Sequence, residues 1–103
     1  MAAYDPELAD RVRAIVAVTA EAVEAKMMGT LCFLANGHII VGVSGEDVFF
    51  PVGGGAALDL AVQRGAHRMR LASGRSAPFA ALTHPDDDTL ADWIAASVER
   101  HEA

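Results

Sequence analysis

Cysteine is almost missing from this chain. Cys32 is the only one, which excludes an internal disulfide and any zinc cage built from several thiolates. Long apolar runs are missing as well. The longest, Leu31 to Ala35, falls far short of the roughly 20 residues that cross a bilayer as a helix. The opening Met1-Ala2-Ala3-Tyr4-Asp5-Pro6 lacks the basic-then-apolar order of a secretory signal, so a cytoplasmic location is the expectation. Positive charge is scarce too: 8 Lys and Arg stand against 14 Asp and Glu, for a net charge of −6. Unaided binding to a phosphate backbone rests on cation–phosphate contacts, so this balance argues against direct nucleic-acid recognition. Repeats and low-complexity tails are absent from the sequence.

What remains is the composition of one globular domain. The 103 residues are 52% apolar and 21% charged, enough to close a core without staples and too few for a second domain. The first helix signal is Asp5-Pro6-Glu7: Asp5 caps free N–H groups, Pro6 suits the first helical position and Glu7 favours the positive end of the dipole. Leu8, Val12, Ile15 and then Thr19 or Val23 continue one apolar stripe, and periodicity alone permits helix as far as Gly29.

From Thr30 the pattern turns to strands. Leu31–Ala35 and His38–Val43 flank Asn36-Gly37, the pair that a two-residue type I′ hairpin turn asks for because both centres need positive φ. Ser44-Gly45-Glu46-Asp47 makes a second turn into Val48-Phe49-Phe50-Pro51-Val52. Pro51 cannot donate to a ladder, so the strand is an edge there or is ending. A short helix follows from Gly53-Gly54-Gly55 to about Arg64, with Leu58, Val62 and Ala61 facing inward and Gly65 as its stop. Arg68 to Leu82 reads as two short strands around Ser73-Gly74-Arg75-Ser76. The run Pro85-Asp86-Asp87-Asp88 starts a closing helix whose inward face holds Leu90, Trp93, Ile94, Ser97 and Val98.

Taken together, several of these pieces resemble the N-terminal domain of the TfoX/Sxy family of bacterial competence regulators. The likeness runs through Lys26-Met27-Met28-Gly29, Phe33, Asn36-Gly37, Ile39–Val43, Val48, Val52, Gly74-Arg75 and the closing helix with Leu90 and Trp93. It implies an α+β fold of two layers, α-β-β-β-α-β-β-α, with an antiparallel meander sheet and helices on one side, similar to secretion chaperones. It also implies that the first helix stops near Val18 to Ala20, with a strand from about Val23 to Met28. The chain departs from the family pattern at Met28 and Thr30, at Pro51, where a strand Arg is common, and at His67-Arg68-Met69, which lacks the usual Pro. The C-terminal helix-hairpin-helix-like domain of full-length members has no counterpart among these residues. The implied role is transcriptional regulation through a protein partner.

Catalytic signatures are not found. Gly53-Gly54-Gly55 is followed by no Lys-Ser/Thr, and Ser44, Ser73 and Ser76 lack a Gly-x-Ser-x-Gly elbow. His38, His67, His84 and His101 show no metal-ligand spacing, and Cys32 has no local base. The expectation is a non-enzymatic module without cofactor or metal. Its candidate contacts are Arg68, Arg70 and Arg75 for an acidic or phosphate-bearing partner and Phe50 for an apolar partner or a homodimer. Gly53, Gly54 and Gly55 offer backbone N–H groups to an anion, which leaves a small anionic-ligand or nucleotide sensor as an alternative. Each group has a plain structural reading: a flexible strand-to-helix connection for the glycines, a solvated face balancing acidic helices for the arginines, and core for Phe50.

Overall fold

A computed structural model describes residues 4–27, 29–52, 55–70 and 76–102. Helix α1 runs over Pro6–Thr19 and opens as its sequence demands: the Asp5 carboxylate accepts from the Glu7 backbone N–H and Pro6 occupies the first turn. It ends at Thr19, and a strand, β1 (Val23–Met27), follows. The continuous helix to Gly29 that periodicity permits is therefore not formed, and the boundary implied by the family resemblance holds. Strands β2 (Thr30–Ala35), β3 (His38–Ser44) and β4 (Asp47–Pro51) complete a four-stranded antiparallel meander. Helix α2 (Ala56–Gln63), strands β5 (His67–Arg70) and β6 (Ser76–Thr83), and helix α3 (Asp87–Glu102) close the chain. The α+β class, the antiparallel meander and the helix–sheet layering are those expected.

The turns explain the register. Asn36 and Gly37 adopt φ of 53° and 81°, the left-handed pair of a type I′ turn, and they set Ala35 opposite His38. One residue is in excess between β2 and β3. Phe33 faces Val41 and Leu34 faces Ile39, which leaves Ile40 without a ladder partner. Its carbonyl instead accepts from the buried Ser97 hydroxyl of α3 at 2.5 Å, and its side chain is fully buried. The bulge thus fastens a helix to the middle of the sheet.

The strand order is β1-β2-β3-β4-β6-β5, so β6 pairs with β4 and β5 lies outside it. Pro51 ends β4 beyond the last residue paired with β3, where the lack of an N–H costs nothing on that side.

All three helices bury their stripes against one face of the sheet. Leu8, Val12 and Val16 of α1, Leu58 and Ala61 of α2, and Leu90, Ile94 and Val98 of α3 meet Leu31, Phe33, Val41, Val43, Val48, Phe50, Ala80 and Leu82. Full burial of each large side chain is worth about 1.5–3 kcal/mol relative to exposure. On α2 it is Ala61 that is fully buried, whereas Val62 is half-buried. Two ion pairs orient α1: Arg11 donates to Asp87 at 2.8 Å and to the Pro85 carbonyl at 2.6 Å, and Arg13 grips Glu24 of β1 through two hydrogen bonds of 2.8 and 2.7 Å.

Among the described residues the opposite face carries no helix and is covered by the sheet's own side chains. The Phe49 ring lies flat over Gly42, close enough that a Cβ on Gly42 would fall 2.1 Å from its Cζ. Phe79 flanks it at a centroid distance of 5.4 Å. We expect Gly42→Ala to cost about 2 kcal/mol or more, because the added methyl cannot coexist with the ring. Phe49→Leu should recover part of that loss in the double variant, giving a favourable coupling in a urea-denaturation cycle. A neutral Gly42→Ala would contradict this packing.

Candidate interaction surfaces

Four of the proposed contacts lie partly or wholly outside the described residues. Gly53, Gly54 and Arg75 are not described, and of Arg70 only its place at the end of β5 is. Arg68, also on β5, is spent within the molecule: its guanidinium pairs with Asp59 of α2. It fixes the short helix to an edge strand, and charged side chains on an edge also discourage pairing with another chain. Gly55 adopts φ of 63° and is the N-cap of α2. Its carbonyl accepts from Asp59 N–H at 3.1 Å, so it starts the helix in a conformation that favours glycine.

Phe50 requires a correction. It is not an exposed apolar anchor beside Pro51 but one of the most buried side chains, at 1% exposure, with its ring 5.6 Å from that of Trp93. Phe49, its neighbour on the other face, is buried as well. Adjacent strand residues point to opposite faces, and both faces at this point are filled.

Two surfaces stand out once the fold is assembled. The first is the helix-free side of the sheet. Cys32, Phe49 and Ala81 form its small buried cluster, bordered by the half-buried Leu34, Ile39, Met69 and Phe79. Towards the β1 edge, Val23 and Met27 are 68% and 36% exposed. Glu21 borders the Val23 end of this side, and at another corner Asp47 accepts from the Thr83 hydroxyl at 2.6 Å and lies 3.4 Å from His67 Nε2. That trio is not arranged as a nucleophile–base pair. The carboxylate sits in the centre and takes the hydroxyl hydrogen bond itself, so the imidazole is not placed to accept that proton.

The second surface is a cleft of about 270 Å³ on the helix layer. It opens because α3 packs beside α1 and over β3 and β4, whereas α2 packs over β5 and β6. Phe50, Val52 and Trp93 line it, together with Leu60, which is half exposed, and Arg64, Asp92 and Arg100. Arg100 donates to the Pro51 carbonyl at 3.0 Å. Neither Arg64 nor Arg100 is among the contacts expected from the sequence. A signal was available: Ala57, Leu60 and Arg64 on one helix and Trp93, Ala96 and Arg100 on the other repeat the same spacing of three and then four. What pattern alone could not say is that the two stripes face one another.

Among the described residues no group of three or more His, Cys, Asp or Glu side chains converges as a metal site, and no helix is long and apolar enough to cross a membrane. Comparison of the chain with protein-family models, with curated proteins and with solved structures returns no match.

The helix-free face depends on β1 being held in place. The Arg13 guanidinium hydrogen-bonds Glu24 and so draws its carboxyl below the ordinary value of 4.5. The folded state thus favours the ionised form, so this stabilisation is present above that value and is lost as pH falls through the depressed one. Glu24→Gln should therefore cost up to about 1 kcal/mol near neutral pH, a figure limited by solvent screening of an exposed pair. The deficit should shrink when pH falls below the ordinary carboxylate range. Urea denaturation of both proteins near neutral pH and below that range measures it.

Proposed function

We propose that this chain is a non-enzymatic regulatory module that acts by binding a protein through the helix-free face of its sheet. The observation that carries this reading is the surplus of uncovered apolar surface there. Val23 and Met27 stand exposed at one edge, continuous with Leu34, Ile39, Phe79 and Met69, in a chain where 21% of residues are charged. A contiguous apolar patch of this kind is a usual mark of an interaction surface. The resemblance to the TfoX/Sxy N-terminal domain supports transcriptional control, competence included, as the setting, with the contact made to a protein instead of DNA. The net charge of −6 points the same way. A second copy of the chain is the simplest occupant, since a face poor in charge opposes no self-association.

An apolar interface predicts salt tolerance. Self-association followed by sedimentation should persist at about 0.5 M salt, where a phosphate-directed contact would weaken steeply. Val23→Glu with Met27→Glu should weaken it at least tenfold, through two charges placed where apolar surface must be covered. Both side chains are exposed, so folding, checked by circular dichroism, should be retained. A folded variant that associates as the parent does, or a parent that stays monomeric and captures no protein, would overturn the reading.

A further inference from the structure

We infer that the cleft between α2 and α3 is a binding site for a small organic monoanion with a flat or branched apolar body, a carboxylate with an aromatic or short aliphatic group being the chemical class. The site is separate from the helix-free sheet face and does not depend on its role. Three observations converge on it.

The first is shape. The cleft measures about 270 Å³, just below the roughly 300–1,000 Å³ of ordinary ligand pockets, which suits a fragment-sized molecule. Alanines at 57, 61 and 96 line it where α2 and α3 face each other, and these short side chains keep the space open.

The second is the chemistry of the floor. Phe50 and Trp93 are tilted by 42° with centroids 5.6 Å apart. Val52 and the half-exposed Leu60 extend the apolar wall. Phe50, 1% exposed, backs the wall, so a flat apolar body gains burial and ring contact against the half-buried Trp93.

The third is charge. Fourteen acidic residues compete for eight basic ones in this chain, and Arg11, Arg13 and Arg68 are each taken by a carboxylate. Arg64 and Arg100 are not engaged in an ion pair among the described residues, and both line this cleft. Asp92 lines it as well. Among the described residues, two guanidinium groups and one carboxylate line it and leave one positive charge in excess, which matches a monoanion and disfavours a dianion or a phosphate. The Pro51 carbonyl holds Arg100 at 3.0 Å and so reduces the ordering cost of using it. An arginine fork is well matched to a carboxylate.

Trp93 is the chain's one tryptophan, so the site carries its own reporter. The test is a titration of tryptophan fluorescence with 3-phenylpropionate, alongside 3-phenylpropanamide (same body, no charge) and propionate (same charge, no body). The expected result is a saturable change with 3-phenylpropionate at a Kd of about 1 mM or below, as fits a fragment-sized ligand. The amide and propionate should each bind at least about tenfold more weakly. Arg64→Gln and Arg100→Gln, both at exposed positions, should each lower the affinity at least about fivefold. Arg68→Gln, whose parent side chain is already paired with Asp59, should leave it unchanged. No saturable signal up to about 10 mM, equal binding of the amide, or affinity indifferent to both cleft arginines would each overturn the assignment.

Discussion

Among the described residues, helices cover one side of a six-stranded sheet, and most other features follow from how the second side is managed. With α1, α2 and α3 gathered over one face, that face becomes the main core and takes the large branched side chains. The other face must protect itself with whatever its own strands supply. It does so locally, where Gly42 gives up its side chain so that the Phe49 ring can lie across the backbone, with Cys32 and Ala81 buried alongside. Burial of Cys32 at 2% exposure without any covering helix is explained by that small cluster. Towards β1 the protection runs out, and Val23 is left largely in solvent. The same one-sidedness accounts for the helix-layer cleft, since α1 and α3 pair over the meander whereas α2 stands over the last two strands.

Charge is distributed with the same economy. Arg11 ties the start of α3 to α1, Arg13 ties β1 to α1, and Arg68 ties α2 to β5. Each pair lies at the periphery of the packed layers, where partly exposed ion pairs add orientation more than energy. Capping works alongside them. Asp86 accepts from the Thr89 N–H at 2.7 Å, and this backbone hydrogen bond is the main reason its carboxyl is held below the ordinary range.

Local structure was legible because its causes are local. Asp5-Pro6-Glu7, Asn36-Gly37, Ser44-Gly45 and Pro85-Asp86 each fix backbone geometry within a few residues, and the elements begin where these signals stand. The end of α1 was not legible from periodicity, because nothing between Glu21 and Met28 breaks a helix. There the strand wins by pairing: each of β1's residues from Val23 to Met27 finds a partner on β2, a tertiary gain that helix propensity does not register. The sites were harder still. That Arg68 would meet Asp59 follows from α2 folding back over β5, and that Phe50 would be covered follows from Trp93 arriving more than forty positions later. Arg64 and Arg68 stand four residues apart in the sequence, but only the assembled layers separate Arg68, bound to a carboxylate, from Arg64, which borders the cleft.

The position of β6 carries a consequence for the order of events during synthesis. It is the last strand made, yet it lies inside the sheet, joining β4 on one side to β5 on the other. Its contacts with β4 include one that links Thr83 to Asp47, 36 residues earlier. The β1–β4 meander is contiguous and can form while the chain is still emerging, but β5 has no strand to join until β6 is available. Contacts of such long sequence separation slow folding, and until they form the β4 edge and the Phe49 ring, which packs with Phe79 and Ala81 of β6, stay uncovered. The interval before residue 83 leaves the ribosome is therefore when this chain is most exposed to aggregation or to a chaperone's grasp, and the Ser76–Thr83 segment acts as the latch that ends it.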